Sequence, residues 1–428
     1  MITLLLVIFV VGYAGIALEH NLRINKTAIA LLTGVLSWAA FILLSPDKVL
    51  INTSLLEHLG NISNILFFLM GAMAIIELID AHDGFEIITD FITVTNKKKL
   101  IWVVSFLTFF LSAVLDNLTT TIVMIALLRK LIRNHDDRLL FIGVIVIAAN
   151  AGGAWSPIGD VTTTMLWIGG QISALNIILK LFIPSLISLI IPLIFISFQL
   201  SGNVQKIAAP KNPKSVILTR KQQRTVLILG ISALLFVPVF KTYTHLPPFV
   251  GMMFGLSILW IYTELMHHKI DHEDKHRLTL AHALTRIDLP SILFFLGILL
   301  AVAALQSAHI LEVAAQWLAQ VIGNQSAIIM SIGGVSSVVD NVPIVAATQG
   351  MYSLSQYPMD DYLWEFLAFC AGTGGSILII GSAAGVAAMG MEKINFFWYV
   401  KKISWLAIIG YLAGSFAYMA IEYVFYSH

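Results

Sequence analysis

Ten apolar stretches divide this chain, and each is long enough to cross the hydrocarbon core of a lipid bilayer as a helix. A chain inside a bilayer must satisfy its backbone hydrogen bonds internally, which leaves only helices or a closed barrel. The stretches are continuous rather than short and alternating, so the sequence favours helices. They comprise residues 2–18, 27–44, 61–79, 139–170, 179–200, 224–241, 247–266, 289–306, 362–389 and 395–424.

The composition leads to the same fold class. Hydrophobic residues make up 58% of the 428-residue chain and charged residues 11%, which predicts an all-α polytopic membrane protein. The net charge of +1 gives no basic surface for a nucleic acid, so the lipid bilayer is the only macromolecular environment that composition predicts. The first stretch lacks a preceding basic region and a following small-residue cleavage site, and we expect it to be retained as a helix.

Two further apolar segments, 100–133 and 324–355, each carry an Asp-Asn pair near the middle. The first pair, Asp116-Asn117, ends the run Ser-Ala-Val-Leu-Asp-Asn, and the second, Asp340-Asn341, ends the run Ser-Ser-Val-Val-Asp-Asn. An ionised carboxylate at membrane depth costs about 2.5–3.5 kcal/mol, so such residues usually mark a path for an ion or a proton. Because the pair occurs in both halves of the chain, the sequence predicts one polar site built by internal symmetry.

The distribution of lysine and arginine decides whether these two segments cross the membrane, because cytoplasmic loops are enriched in both residues. If both segments are re-entrant hairpins and the amino terminus is outside, 22 of the 25 basic residues lie on the cytoplasmic side. If both segments cross the membrane, only 10 of the basic residues lie on the cytoplasmic side. We therefore predict two re-entrant hairpins, with both termini on the extracytoplasmic side.

Each half of the chain then contains five crossings and one hairpin, and an odd number of crossings turns the second half upside down. We predict two inverted repeats of five transmembrane helices plus one re-entrant hairpin each, with interrupted helices at the midplane. The predicted organisation is a first repeat at 1–200 with its hairpin at 100–133 and a broken helix at 139–170, a cytoplasmic linker at 201–223, and a second repeat at 224–428 with its hairpin at 324–355 and a broken helix at 362–389.

Glycine-rich breaks follow both hairpins. Gly152, Gly153 and Gly159, together with Pro157, interrupt the first broken helix, and Gly374, Gly375 and Gly381 interrupt the second. At membrane depth the freed carbonyls and amides need partners, so this backbone is expected to line a polar cavity. The two breaks are chemically unequal, because Ser382 stands in the second where Asp160 stands in the first.

The polar side chains around these breaks all offer oxygen, from carboxylate, amide or hydroxyl groups. None of them is cysteine or histidine, which argues against zinc, copper or iron, and no cofactor is predicted. A monovalent cation such as Na⁺ or Li⁺ fits oxygen ligands and is dehydrated more easily than Mg²⁺. A carboxylate can hold either such a cation or a proton, and this competition is a sufficient mechanism for cation/proton exchange. The candidate residues are Asp116, Asn117, Asn150, Asp160, Thr162, Thr163, Asp340, Asn341, Ser376 and Ser382.

We expect Na⁺ to contact the two Asp-Asn pairs and the backbone of four glycines. The pairs are Asp116-Asn117 and Asp340-Asn341, and the glycines are Gly152, Gly153, Gly374 and Gly375. Capping remains an alternative for the acids, because aspartate and serine commonly cap helices that begin at such breaks. Asn150, Ser376 and Ser382 also fit ordinary polar contacts between helices.

The chain resembles the NhaD-type sodium/proton antiporters of the ion transporter superfamily. The resemblance rests on Leu115 to Thr120, on Asn150 to Thr164, which is the most specific stretch, and on Val339 to Pro343. It implies a bacterial-type inner-membrane exchanger that expels Na⁺ or Li⁺ as protons enter. It also implies a homodimer, elevator-like movement of the site, and transport roles for Asp116, Asn117, Asn150, Asp160, Thr162, Thr163, Ser336 and Asn341. Relatives that carry dicarboxylates have a Ser-Asn-Thr hairpin tip where this chain has aspartate, which favours a cation-only site.

Two other functions stay open at this point. The first is Na⁺-coupled transport of an organic anion or oxyanion, and the second, more remote, is an intramembrane aspartyl protease with Asp116 and Asp340 as its dyad. That protease class carries Tyr-Asp and Gly-x-Gly-Asp motifs, whereas the pairs here read Leu-Asp and Val-Asp. A nucleotide-driven pump is excluded because the sequence has no P-loop. The histidine-rich segment 267–282 is typical of a solvated loop, although its spacing also permits metal binding or pH sensing.

Overall fold

The computed structural model describes residues 1–425 apart from residues 18, 91, 93, 205–217 and 268–277. The regular elements in this part are helices, and one isolated antiparallel bridge joins Asn96 and Asn203. The helices of the first half are α1 (Ile2–Ala17), α2 (Glu19–Leu22), α3 (Lys26–Leu44), α4 (Lys48–Ala81), α5 (Gly84–Asp90), α6 (Lys97–Leu115), α7 (Asn117–Leu131), α8 (His135–Ala154), α9 (Val161–Ile168) and α10 (Ala174–Gln199).

The second half continues the numbering. Its helices are α11 (Arg220–Thr244), α12 (Pro248–Met266), α13 (Leu280–Arg286), α14 (Leu289–Ser307), α15 (Ile310–Ile322), α16 (Gln325–Val335), α17 (Asn341–Met351), α18 (Tyr362–Gly374), α19 (Ala383–Glu392) and α20 (Phe396–Phe425). The last of these contains a π-helical turn at Val400–Ser404.

Nine of the described helices are long and apolar enough to cross a membrane, namely α3, α4, α6, α8, α10, α11, α12, α14 and α20. Helices α15 and α16 form a tenth candidate when taken together, although their axes bend by 116° at the break between them. The prediction of an all-helical, multi-pass membrane protein is confirmed for the residues described. Helix α1, at 16 residues, is shorter than the other candidates.

Helix α4 begins earlier than its apolar stretch at 61–79 predicts. It runs for 34 residues from Lys48, and the Asp47 side chain caps it by accepting a hydrogen bond from the Leu50 amide at 2.9 Å. The polar residues of its first turns have partners, since Ser54 and His58 lie 2.9 and 3.0 Å from the Ser307 hydroxyl. These contacts explain how a polar segment continues a membrane helix without a break.

The segments predicted as hairpins each consist of two helices around an Asp-Asn pair. Helix α6 ends at Leu115 and α7 begins at Asn117, with only Asp116 between them. Helices α16 and α17 have 11 residues each and are separated by the turn that ends at Asp340. Helix α6 has 19 residues and is by itself long enough to cross a bilayer, so the re-entrant depth of segment 100–133 stays a prediction.

The segments at 139–170 and 362–389 are each divided into two helices. Helix α8 ends at Ala154 before α9 begins at Val161, and α18 ends at Gly374 before α19 begins at Ala383. The glycines and the proline of the first break fall between or beside its helix ends, where they cost least. Both breaks lie beside the hairpin segments, because α6 packs on α8 and α16 packs on α18.

Away from the breaks, small residues allow close packing between helices of the two halves. Helix α3 packs along α14, and a Cβ added at Gly34 would lie 2.5 Å from the Gly297 carbonyl oxygen. Helix α10 packs along α20 in the same way, beside Gly410 and Gly414. Close backbone approach at small residues is a common means of helix association in membranes.

The segment at 267–282 was predicted to be a solvated loop, but its first residue, His267, is buried. His267 is only 1% exposed and stacks on His82, with the two Nε2 atoms 3.0 Å apart. This contact ties the end of α12 to the end of α4. His268, His272 and His276 lie outside the described residues.

Candidate functional site

The first hairpin segment crosses the first broken helix at a point where the two backbones touch. Ser112 of α6 donates a hydrogen bond from its hydroxyl to the Ala149 carbonyl of α8 at 2.6 Å. Beside this bond, a Cβ at Gly152 would overlap the Phe109 carbonyl oxygen, so only glycine fits there. The crossing holds the loop after α8 against the end of α6.

The second half contains the equivalent crossing. The Ser336 hydroxyl donates to the Ala371 carbonyl at 2.9 Å, and a Cβ at Gly374 would overlap the Gly333 carbonyl oxygen. Ser336, which was predicted as a site residue, therefore joins the end of α16 to α18 where the two helices cross. The serine, the carbonyl and the close glycine recur with nearly constant spacing along the sequence.

Asp160 lies at the centre of the polar residues and receives hydrogen bonds from both halves. The Asn117 amide donates to its Oδ2 at 2.7 Å, and the Asn341 amide approaches the two carboxylate oxygens at 3.2 and 3.3 Å. The Thr162 amide and hydroxyl both donate to Oδ1 at 2.9 Å. Asp160 is 1% exposed, and the two asparagines are 3% exposed. One buried carboxylate is thus the acceptor shared by both Asp-Asn motifs.

Asn150 links the same centre to the second broken helix. Its amide nitrogen donates to the hydroxyls of Ser376 and Ser382, both at 2.9 Å, and its carbonyl oxygen accepts from Asn117 at 2.9 Å. Asn150 is fully buried. A continuous chain of hydrogen bonds therefore runs from the Ser376 and Ser382 hydroxyls through two amides to the Asp160 carboxylate.

Four helices begin at these polar residues, and each is capped by one of them. The capping contacts are Asp116 to the Thr119 amide at 2.8 Å and hydroxyl at 2.9 Å, Asp160 to the Thr162 amide, Asp340 to the Val342 amide at 3.3 Å, and Ser382 to the Gly385 amide at 3.2 Å. Thr163 instead donates its hydroxyl to the Asp160 backbone carbonyl at 2.9 Å. Helix N-termini carry partial positive charge, which stabilises the three carboxylates.

Asp116 adopts a backbone conformation that few residues other than glycine tolerate. Its φ is 75° and its ψ is 160°, in a region that costs about 1–3 kcal/mol for a residue with a side chain. The conformation turns the chain from α6 into α7 within a single residue. Strain of this kind is concentrated at functional sites in proteins, where the surrounding structure maintains it.

Asp116 and Asp340 line one small cavity of about 40 Å³, together with Asn117 and Lys26. The Lys26 ammonium lies 3.5 Å from Asp340 Oδ2. Asp340 therefore has a cationic partner from α3, which the sequence did not predict. Lys26 and Asp340 are 314 positions apart in the chain, and no motif connects them.

The carbonyls of the four glycines are partly used within the breaks. The Gly153 carbonyl accepts from the Ser156 amide at 3.4 Å, and the Gly374 carbonyl accepts from the Ile377 amide at 3.0 Å. A carbonyl oxygen has a second lone pair, so these bonds leave room for a cation. Contact of Na⁺ with Gly152, Gly153, Gly374 and Gly375 stays a prediction.

A second buried charge cluster, also not predicted from the sequence, joins α10, α18 and α20. The Lys180 ammonium lies 3.3 Å from Glu365 and 3.0 Å from Glu422, and the Tyr418 hydroxyl donates to Glu365 at 2.8 Å. Lys180 is 8% exposed and Glu365 is fully buried. The single ammonium lies within ion-pair distance of both carboxylates and offsets part of their charge.

Comparisons with known proteins agree on a family of membrane transporters. The family model CitMHS, described as citrate transporter, matches residues 5–372. Two Arabidopsis thaliana proteins, sodium/proton antiporter 1 and sodium/proton antiporter 2, are each 50% identical to this chain over 418 residues. These alignments cover 97% of this chain and 72% and 98% of the two relatives.

Bacterial relatives are also similar over nearly the whole chain. The Na⁺/H⁺ antiporter NhaD of Vibrio cholerae is 28% identical over 448 residues, which cover 98% of this chain and 91% of that protein. The NhaD of Alkalimonas amylolytica is 30% identical over 437 residues, which cover 95% of this chain and 88% of that protein. The chain therefore belongs to the CitMHS family and, with these relatives, to the NhaD-type sodium/proton antiporters.

Proposed function

We propose that this protein exchanges Na⁺ or Li⁺ for H⁺ across the membrane by alternating access, with cation and proton competing for buried carboxylates. The observation that carries the proposal is the Asp160 carboxylate, which is 1% exposed and accepts hydrogen bonds from Asn117, Asn341 and Thr162. Its hydrogen-bond partners among the described residues are all neutral groups. A carboxylate without a fixed cation of its own can neutralise its charge with a transported cation or with a proton.

The asparagines around Asp160 give a physical route for the competition. Each side-chain amide has an N–H face that donates to a carboxylate and a carbonyl face that can bind a cation. Asn117 and Asn341 turn their N–H groups toward Asp160 in this structure. Rotation of either amide about its terminal torsion would present its oxygen beside the carboxylate, completing an oxygen-lined cation site. Protonation of Asp160 removes the charge that makes this arrangement favourable.

Transport of an organic anion with Na⁺ is the second candidate, because the matching family model is described as citrate transporter. Three carboxylates, Asp116, Asp160 and Asp340, contribute to the proposed site, and the Lys26 ammonium lines the small cavity with Asp116 and Asp340. An excess of negative charge disfavours a polyanionic substrate. The charge balance therefore favours a cation as the sole substrate besides the proton.

The protease alternative has less support from the geometry. An aspartyl dyad shares one proton between two carboxylates. Here Asp116 accepts from Thr119, and Asp340 accepts from Val342 and pairs with Lys26. Each acid thus has partners of its own, and the relatives are named as antiporters.

We expect purified protein in proteoliposomes to release internal protons when Na⁺ or Li⁺ is added outside, and to do so much less with K⁺. The measurement is dequenching of a pH-sensitive dye after an imposed pH gradient. Citrate and succinate are added separately, because an anion carrier needs them for Na⁺ flux. Na⁺ flux that appears only with a dicarboxylate or tricarboxylate present would instead support the anion carrier.

The proposal includes inverted repeats whose hairpins enter from opposite faces, with both termini outside the cytoplasm. The paired crossings at Ser112 and Ser336 support an internal repeat, since each serine donates to a carbonyl of the following broken helix. Opposite entry places the two tips near one midplane site, as in other transporters with inverted repeats. Homodimer formation and elevator-like movement of the site are further proposals that rest on the family resemblance.

Labelling of introduced cysteines tests the orientation of the block between the hairpins. We expect Arg133→Cys to react with a membrane-impermeant maleimide only from the cytoplasmic side, and Thr244→Cys only from outside. Both positions are exposed, and the native Cys370 is buried and can be replaced by alanine. If segments 100–133 and 324–355 cross the membrane, both labelling patterns reverse. That reversal would overturn the hairpins.

A further inference from the structure

Lys26 lies where the polar centre meets a larger opening. It is the first residue of α3, and its ammonium lies 3.5 Å from Asp340 Oδ2 and 4.5 Å from the centre of the Phe294 ring. The Lys26 side chain is 23% exposed and the Asp340 side chain is 12% exposed. The ion pair is thus neither fully buried nor freely solvated.

Two cavities meet at this ion pair. The inner one, of about 40 Å³, is lined by Asp116 and Asn117 among other residues. The outer one, of about 680 Å³, is lined by residues from the end of α1 to the start of α3, including Tyr13 and Glu19. Lys26 and Asp340 line both cavities. An ion that passes between the cavities where they adjoin would therefore pass the Lys26–Asp340 contact.

The backbone at Lys26 is fixed while its ammonium is held loosely. The Lys26 amide donates to Glu19 Oε1 at 2.9 Å, which anchors the start of α3. The ammonium contacts a single carboxylate oxygen at 3.5 Å, longer than an ordinary charged hydrogen bond, and its other contact is to an aromatic face. Because the four-carbon stem of lysine is flexible, the ammonium can leave Asp340 and return to it while the start of α3 stays anchored.

We propose that Lys26 is a tethered competitor of the transported cation, so that Na⁺ gains access to Asp340 only by displacing the Lys26 ammonium. The inference deepens the proposed function and rests on it. Lys26 then sets the apparent Na⁺ affinity through competition, and its return to Asp340 assists release of Na⁺. The ammonium and the cation cannot occupy the same carboxylate oxygen, since like charges at contact distance repel strongly.

The test compares Lys26→Gln with the wild type in two measurements, Na⁺-driven proton exchange and Na⁺-dependent thermal stabilisation of the purified protein. We expect the apparent KM for Na⁺ and the Na⁺ midpoint of stabilisation to fall at least fivefold in Lys26→Gln. We also expect kcat to fall, because bound Na⁺ then leaves more slowly. Lys26→Arg keeps the tethered charge and should stay within twofold of the wild type in both measurements.

Two controls separate this role from a general effect of charge. Lys48→Gln removes the lysine that begins α4, an exposed residue at the same position in its helix, and should change neither quantity. In an Asp340→Asn background, Lys26→Gln should have no further effect on the Na⁺ midpoint, because the competed carboxylate is gone.

Each outcome decides between the two proposals. An unchanged or higher Na⁺ midpoint in folded Lys26→Gln overturns the role of Lys26, even when the wild type exchanges normally. A wild type that is stabilised by Na⁺ but exchanges no protons overturns the proposed antiport, while the shift in midpoint still tests Lys26. A wild type that neither exchanges protons nor responds to Na⁺ overturns both.

Discussion

Replacing Asp116 by asparagine is expected to lower Na⁺-driven proton exchange at least a hundredfold, with the protein still folded and inserted. Asparagine has the same size and is an equally good helix cap, so its side-chain oxygen can still accept from the Thr119 amide while its NH2 group donates to the Thr119 hydroxyl. It also tolerates the positive φ of 75° about as well as aspartate does. What the substitution removes is the negative charge and the exchangeable proton. A hundredfold loss corresponds to about 2.8 kcal/mol.

The matched control is Asp47→Asn. Asp47 caps α4 by accepting from the Leu50 amide at 2.9 Å, so the chemical change is the same at a cap outside the polar site. We expect this variant to retain wild-type exchange in everted vesicles, and both variants to elute as single folded species. Near-normal exchange in folded Asp116→Asn would show that Asp116 is a structural cap and no more.

The residues that meet at Asp160 could be identified from the sequence because each has a chemical signature in an apolar setting. Asn117 and Asn341 follow aspartates inside apolar segments, and Asn150 stands just before a cluster of glycines. Membrane depth makes unpaired polar groups costly, so such residues are expected to find one another. The structure brings the three amides and the Asp160 carboxylate into one hydrogen-bonded chain.

The sequence did not predict which residues of one half would contact which residues of the other. The sequence shows that the two helix breaks differ, with Asp160 in the first and Ser382 in the second. It did not indicate that Asn341 of the second half would contact Asp160 of the first. It also did not indicate that Asn150 of the first half would reach Ser382. These contacts between the halves depend on how the two halves pack against each other. The spacing of residues within either half does not encode that packing.

Two buried or partly buried lysines, Lys26 and Lys180, were also not predicted to pair with carboxylates inside the protein. In the sequence, Lys26 and Lys180 are only two of the 25 basic residues counted for topology, whereas in the structure Lys26 contacts Asp340 and Lys180 contacts Glu365. A lysine at a helix end reads as a topology signal, because its long side chain usually reaches the interface. Its alternative use, inward pairing with a carboxylate hundreds of positions away, leaves no local pattern.

Replacing Asp160 by serine separates its two functions, since Ser382 already shows that serine caps the equivalent helix by accepting from the Gly385 amide at 3.2 Å. We expect Asp160→Ser to lower exchange at least a hundredfold and to abolish stabilisation by Na⁺. The physical reason is the loss of the charge to which Asn117 and Asn341 donate. Asp160→Asn, another good cap, should lose exchange equally.

The two Asp160 variants should differ in thermal stability, and the difference tests whether the carboxylate serves as the acceptor for the surrounding donors. Asparagine places an N–H donor among the donors of Asn117 and Asn341, whereas serine leaves space for water between them. Leaving a buried polar group without a partner costs about 1–3 kcal/mol, so the melting temperature should fall more in Asp160→Asn than in Asp160→Ser. If both variants exchange Na⁺ at wild-type rates, Asp160 is only a cap. If exchange is lost in both while Asp160→Ser remains folded, the buried charge itself is required, because the cap, the helix and the crossing at Gly152 are all still present.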